Sequence, residues 1–282
     1  MNKLKPLPEE WSGLLNNEQK EAIENIYGPL LIIAGAGSGK TRVLTYRYAH
    51  LIKTYGINFE NVLAITFTNK AANEMKDRIS DLLNLELSPK WISTFHSLCV
   101  KMLRIHGHLI GFNNNFTIYD QSDSTKLVRN CMRDSDIDTK QYSPKRIQAH
   151  ISSLKNQRIL PGEAVEFAQS FFDVKVAEIY SSYQKKLMLA NSMDFDDLLI
   201  KAVELLETSD KSLNYWSSKF QYIMIDEYQD TNMVQYRLVE LLASKHKNIC
   251  VVGDSDQSIY AFRGADIRNI EEFESDFKDA KV

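Results

Sequence analysis

Residues 34–41, AGAGSGKT, have the residue types and spacing of a loop that holds a polyphosphate. The loop follows an apolar run and precedes a helical pattern, so the backbone N–H groups of Gly37–Thr41 would point at the phosphates from a helix N-terminus. Lys40 would reach the β- and γ-phosphates, and the Thr41 hydroxyl would hold Mg²⁺. Ala34 stands where the strict pattern has glycine. The alternative is a turn that binds nothing, but the intact Gly-Lys-Thr in this setting favours a phosphate site.

A pair of carboxylates, Asp226 and Glu227, directly follows the apolar run YIMI. Ligands of open α/β sheets bind at the carboxyl ends of the strands, so Asp226 would hold Mg²⁺ there, directly or through water. Glu227 is the candidate base that orients and deprotonates the attacking water. Asp-Glu at a strand end is often only solvated, but its position downstream of a phosphate loop favours hydrolysis over nucleotide binding alone.

The elements that must position these residues are predicted by the hydrophobic pattern, in which short apolar runs alternate with helical stretches. Strands are expected at 29–34, 61–68, 91–95, 221–226 and 248–254, and helices at 41–56, 69–83, 96–106 and 233–245. Continuous apolar runs are typical of strands buried on both faces. The alternation therefore predicts a parallel sheet with right-handed crossovers.

The strand signal nearly disappears between about Asn113 and Met193. Helical patterns cover 121–135, 143–157 and 162–189, and prolines 144 and 161 stand at two of the expected helix starts. We therefore expect an α/β domain formed by residues 1–112 and 194–282, interrupted by a mostly helical insertion at 113–193.

Composition narrows the class of protein. The 282 residues carry a net charge of −3, which neither indicates nor excludes a nucleic-acid partner, because a basic groove can lie on an acidic body. The three cysteines are far apart, which argues against a disulfide framework or a zinc site and favours a reducing, cytoplasmic setting. No apolar stretch approaches the roughly 20 residues of a membrane span, so no membrane partner is expected.

Seven segments then identify a family resemblance. In chain order they are LNNEQKEAI, AGAGSGKTRVL, AITFTNKAANEMKDR, ISTFHSLC, DFDDLL, IDEYQDTN and VVGDSDQSIYAFRGADI. They resemble the successive motifs of the superfamily 1 DNA helicases of the UvrD/PcrA/Rep type, over nearly the whole chain, and DEYQD excludes the DEAD-box RNA helicases. The resemblance implies a first RecA-like motor domain with an accessory helical insertion. It also implies ATP-driven movement on single-stranded DNA with 3′-to-5′ polarity and unwinding of duplex, in DNA repair or replication.

The resemblance implies roles for further residues at the nucleotide. Gln19 would read the adenine edge of ATP, Arg42 would pack on the adenine face in a cation–π contact, and Gln257 would sense the γ-phosphate. The expected nucleotide-binding residues are Gln19, Ala34, Gly35, Ala36, Gly37, Ser38, Gly39, Lys40, Thr41 and Arg42. Lys40, Glu227 and Gln257 would act in catalysis, and Thr41 and Asp226 would hold Mg²⁺.

For single-stranded DNA the resemblance implies an aromatic track. Its expected contacts are Phe67, Asn69, Phe95, His96, Tyr260, Phe262 and Arg263. Every base offers a π-face, so aromatic side chains can stack on any sequence. Core packing is the alternative for Phe67 and Phe95, and Phe262 stands where close relatives often have tryptophan, which predicts weaker stacking.

Four basic residues of the insertion could contact duplex DNA, with a solvated helix face as the more common alternative. They are Lys145, Arg146, Lys155 and Arg158.

Relatives of this type continue into a second motor domain, which carries further arginines for the γ-phosphate. This sequence is therefore expected to be an N-terminal part whose ATP turnover alone is nearly absent. The expected partners are single-stranded DNA, junctions of single- and double-stranded DNA, and that second domain. Two other functions stay open: an ATPase subunit of a helicase–nuclease complex, and a nucleotide-gated DNA-binding module that does not hydrolyse ATP.

Overall fold

A computed structural model describes residues 4–86, 89–254, 273 and 275–282 of the chain. The chain forms two compact units. An α/β unit comprises residues 1–98, 211–231 and 239–282, and a helical unit comprises residues 99–210 and 232–238. No helix among the described residues is both long and apolar enough to cross a membrane.

The α/β unit is built on a five-stranded parallel sheet, which confirms the fold class predicted from the alternating pattern. The strands of the described chain are β1 (Leu30–Ile33), β2 (Val62–Thr66), β3 (Ile92–Thr94), β4 (Thr117–Ile118), β5 (Ser192–Met193), β6 (Tyr222–Ile225) and β7 (Ile249–Gly253). The sheet has the order β1-β7-β6-β2-β3, and β4 pairs with β5 in the helical unit. The carboxyl ends of β1, β7 and β6 are therefore neighbours at one edge.

Helices follow most of the strands. They are α1 (Glu9–Ser12), α2 (Asn17–Glu24), α3 (Lys40–Lys53), α4 (Asn69–Leu83), α5 (Phe95–His106), α6 (Gln121–Asp134), α7 (Pro144–Asn156), α8 (Phe171–Leu189), α9 (Phe195–Thr208), α10 (Asp210–Lys219) and α11 (Met233–Ala243). The sheet core is closed by apolar side chains from strands and helices, among them Leu44, Tyr48, Val62, Met75, Met224 and Val252. Burial of these side chains holds the strand ends in fixed register.

The structure differs from the predicted helix over 162–189. Residues 161–167 form turns, and α8 begins at Phe171 because the Ser170 side chain accepts a hydrogen bond from the Asp173 N–H and caps the helix there. The Pro161 start was therefore wrong, whereas Pro144 does open α7. The helical unit also includes residues 99–112 and 194–210, which the sequence pattern assigned to the α/β domain. The domain boundaries 1–112, 113–193 and 194–282 stay a prediction.

A buried charge cluster lies inside the helical unit. Lys155 is only 1% exposed, and its Nζ donates to Asp194 Oδ2 at 2.7 Å and to Asp197 Oδ1 at 2.8 Å. Burial alone would lower the pKa of Lys155, but the two carboxylates outweigh it and keep the pKa above its usual value. The expected duplex contact of Lys155 is wrong, because an enclosed ammonium held by two carboxylates does not reach a DNA phosphate.

For the other three basic residues, contact with duplex DNA stays a prediction. Arg158 pairs with Glu207, and the Arg146 guanidinium lies 4.6 Å from the centroid of the Phe172 ring. Lys145 is exposed on α7.

Lys155→Met is expected to lower the free energy of unfolding by about 3–5 kcal/mol, because it leaves two buried carboxylates without their cation. Lys145→Met on the same helix is the matched control and should change stability by no more than about 0.5 kcal/mol. Urea unfolding followed by circular dichroism measures both. Equal unfolding midpoints for the two variants would show that the cluster does not hold the helical unit together.

Candidate active site

The phosphate-loop sequence lies between β1 and α3, as its strand–helix setting predicts. The Ala34 N–H donates to Gly253 O at 3.0 Å, which joins the loop to the end of β7. Gly37 and Gly39 have φ of 74° and 92°, in the left-handed region that favours glycine. A Cβ at Gly39 would also come within 2.9 Å of Gln19 Nε2. The loop thus opens the N-terminus of a 14-residue helix, the place where a polyphosphate would bind.

Lys40 is folded back over this loop. Its Nζ donates to Ala34 O at 3.1 Å and to Asp254 Oδ2 at 3.2 Å. The side chains of Lys40 and Asp254 are 9% and 3% exposed, so the ion pair is largely shielded from water. The ammonium is therefore held at the mouth of the loop by a carboxylate from the end of β7.

Thr41 and Asp226 meet directly, although 185 residues separate them in sequence. The Thr41 hydroxyl donates to Asp226 Oδ2 at 2.9 Å, and the Asp226 N–H donates to Ile65 O at 3.0 Å. Burial raises the pKa of the Asp226 carboxyl by more than the Thr41 hydrogen bond lowers it. A hydroxyl and a buried carboxylate are oxygen ligands of the kind Mg²⁺ prefers, and a cation would favour the ionised carboxylate.

Glu227 turns the chain sharply after β6. Its φ is 51°, an uncommon left-handed conformation for a residue other than glycine. Its N–H donates to Asp226 Oδ1 at 3.1 Å, and its carboxylate Oε2 accepts from Gln229 Nε2 at 2.7 Å. The half-buried Glu227 therefore lies beside the expected metal ligand Asp226, and its role as the base for the attacking water stays a prediction.

Gln229 and Asp254 are two residues of this site that sequence reasoning missed. Both are buried polar side chains, at 1% and 2% exposure. In the sequence, Gln229 lies four residues after β6 inside DEYQD, and Asp254 directly follows β7 in VVGD. Polar residues in such positions are satisfied by partners, and here they partner Glu227 and Lys40.

The two residues expected at the adenine lie beside the loop. The Gln19 side chain donates from Nε2 to Ser38 O at 3.0 Å and accepts the Asn16 N–H at Oε1, closing the capping box of α2. The Arg42 guanidinium lies 5.7 Å from the centroid of the Tyr46 ring. Arg42 also lines a cavity of about 350 Å³ between α3 and α4. Their adenine contacts stay a prediction.

The expected DNA contacts at Phe67, Asn69, Phe95 and His96 lie just after the carboxyl ends of β2 and β3. The rings of Phe67 and Phe95 meet edge to face with centroids 5.8 Å apart. Phe95 is 2% exposed, which favours core packing for it, while Phe67 and His96 are half-buried and Asn69 is exposed.

Four other expected site residues lie outside the described part of the chain. They are Gln257, Tyr260, Phe262 and Arg263.

Comparison with known proteins finds a DNA helicase family and DNA helicase relatives. Residues 15–278 match the UvrD/REP helicase N-terminal domain family. The ATP-dependent DNA helicases PcrA of Staphylococcus epidermidis and of Staphylococcus aureus are each 50% identical to the chain over 268 residues. Each alignment covers 95% of this chain and 37% of the relative, so the chain spans about 37% of the length of these relatives.

Proposed function

The chain belongs to the UvrD/REP helicase N-terminal domain family, and on that premise we propose that the whole protein is an ATP-dependent DNA helicase. This chain would supply the ATP site and part of the track for single-stranded DNA. The observation that carries the proposal is the meeting of Lys40, Thr41, Asp226 and Glu227 at one edge of the sheet. Binding alone would not need the base, so Glu227 favours hydrolysis.

Lys40 and the N-terminus of α3 would hold the phosphates of ATP. On binding, the Lys40 ammonium would exchange its Asp254 partner for the β- and γ-phosphate oxygens, at the N–H groups of the loop. Mg²⁺ held by Thr41 and Asp226 would neutralise charge on those oxygens. Glu227 would orient a water toward the γ-phosphorus and accept its proton as the new P–O bond forms and ADP leaves.

The DNA track would start at the ends of β2 and β3. Strand β2 is the direct neighbour of β6, whose end carries Asp226 and Glu227, so both sites rest on adjacent strands of one rigid sheet. The half-buried Phe67 would offer a ring on which a base can stack in any sequence context. The family resemblance supports 3′-to-5′ polarity and action at junctions of single- and double-stranded DNA.

Phe67→Ala is expected to weaken binding of a single-stranded oligonucleotide by about 1–3 kcal/mol, the usual contribution of a stacked base. Fluorescence anisotropy titration measures the affinity, and a melting curve monitors the fold. Phe59→Ala is a matched control, since Phe59 is 40% exposed and precedes β2 at its opposite end. Unchanged DNA affinity with a lowered melting temperature would make Phe67 a core residue only.

A further inference from the structure

We propose that Gln229 is a positioning residue for ATP hydrolysis, which fixes the Glu227 carboxylate relative to the backbone of Asp254 at the end of β7. The inference rests on the proposed function, because it assigns a role in the same reaction. Hydrogen bonds connect four residues from the phosphate loop to the proposed base, and the path passes through both the carboxylate and the backbone N–H of Asp254. In order they are Lys40, Asp254, Gln229 and Glu227.

The amide of Gln229 has two partners and one possible orientation. Its Nε2 donates to Glu227 Oε2 at 2.7 Å, and its Oε1 accepts the Asp254 N–H at 3.0 Å. A carboxylate only accepts and a backbone N–H only donates, so a flipped amide would lose both bonds. The side chain is 1% exposed, so water is a poor substitute for either partner.

The backbone around Gln229 is itself held firmly. Tyr228, Gln229 and Asp230 form a single 3₁₀ turn after the left-handed Glu227. The buried Tyr228 ring lies 5.8 Å from the Phe273 ring, and the Thr231 hydroxyl donates to Tyr228 O at 2.6 Å. An amide on such an anchored turn can hold a carboxylate that would otherwise rotate about its own side-chain bonds.

Glu227 needs this restraint more than its neighbour does. Asp226 is 4% exposed and already accepts from Thr41, whereas the Glu227 side chain is longer and only half-buried. A base must lie within hydrogen-bond reach of the attacking water, and a displacement of about 1 Å lowers a rate by roughly 10²-fold. Gln229 would set that distance.

The other end of this hydrogen-bonded connection contacts the phosphate loop, through Asp254 and Lys40. Asp254 follows β7, which is the neighbour of both β1 and β6. Its N–H is fixed by Gln229, while its carboxylate holds the Lys40 ammonium that would bind the phosphates. Before nucleotide binds, Asp254 therefore contacts both Lys40 and Gln229. When Lys40 turns to the phosphates, the Asp254 N–H would still hold Gln229 in place.

The test is Gln229→Met in the whole protein, with kcat for ATP and the Kd of a non-hydrolysable ATP analogue measured together. We expect kcat to fall by about 10²-fold while Kd stays within about threefold, because Gln229 touches the base and not the phosphates. Gln229→Glu keeps an acceptor for the Asp254 N–H but replaces the donor to Glu227 with a second carboxylate oxygen. Gln229→Glu should lower kcat by a similar factor, and it provides the test if the Gln229→Met variant folds poorly.

Gln235→Met is the matched control. Gln235 is 7% exposed, and its Oε1 also accepts a backbone N–H, from Asn232 at 3.0 Å. This variant should lower the melting temperature while kcat stays near that of the unsubstituted protein. Wild-type kcat in both Gln229 variants, or a loss no larger than that of Gln235→Met at equal destabilisation, would overturn the inference.

A double variant separates this inference from the proposed function. If Gln229 acts through Glu227, Gln229→Met should lower the residual kcat of Glu227→Gln by no more than about threefold. A further loss of about 10²-fold would mean that Gln229 acts elsewhere. Absent turnover in the unsubstituted protein, or full turnover in Glu227→Gln, would instead contradict the proposed hydrolysis and the base assigned to it.

Discussion

Lys40→Ala is expected to lower kcat/KM for ATP by at least about 10³-fold, with loss of detectable nucleotide affinity. Lys40 is the one lysine or arginine within residues 34–41, and its ammonium already lies over the loop carbonyl oxygens. Without it, the β- and γ-phosphates lose their charge-assisted hydrogen bonds. The Asp254 carboxylate, 3% exposed, would also remain near the phosphates without a cation and would repel them.

Titration with a fluorescent ATP analogue and steady-state phosphate release measure the two losses. Lys53→Ala is the matched control, because Lys53 ends the same helix α3 and its side chain is 45% exposed. That variant should bind and hydrolyse ATP normally. Near-normal turnover of Lys40→Ala, in a preparation whose melting curve is unchanged, would sink the assignment of the loop as the ATP site.

Glu227→Gln is expected to separate binding from chemistry. The amide keeps the shape of the side chain and can accept the hydrogen bond from Gln229, but it cannot take a proton from water. Turnover should fall by roughly 10²–10⁴-fold, while affinity for the nucleotide changes little.

Nucleotide affinity measured beside kcat decides this prediction. Glu74→Gln on α4 is a control, because this exposed glutamate lies in the same unit away from the loop. It should change neither quantity. A parallel loss of affinity and turnover in Glu227→Gln would instead make Glu227 a ligand of the metal ion or a structural residue.

The sequence could predict the five-stranded sheet because strands buried on both faces leave continuous apolar runs, which few other structures require. The sequence could also predict the phosphate loop, because its glycines allow the positive φ that the loop backbone requires and Lys40 supplies its positive charge. The left-handed φ of Gly39 and the start of α3 at Lys40 agree with that interpretation.

Other features depend on partners far away in the chain, and a local pattern does not show them. In the sequence Lys155 does not differ from a surface lysine, because its partner Asp194 lies 39 residues away along the chain. The pair of Lys40 and Asp254 follows from the placement of β7 beside β1, an order that apolar runs alone do not give. The helix start expected at Pro161 is wrong because the Ser170 side chain caps the N-terminus of α8, which therefore begins at Phe171.

Steady-state phosphate release by the whole protein, with and without a single-stranded oligonucleotide, tests the central claim most directly. We expect ATP turnover that rises saturably with the oligonucleotide, needs Mg²⁺ and disappears in Lys40→Ala. A protein that binds both ATP and the oligonucleotide but releases no phosphate would be a nucleotide-gated DNA-binding module. That result, or turnover that ignores the oligonucleotide, would contradict an ATP-driven motor on DNA.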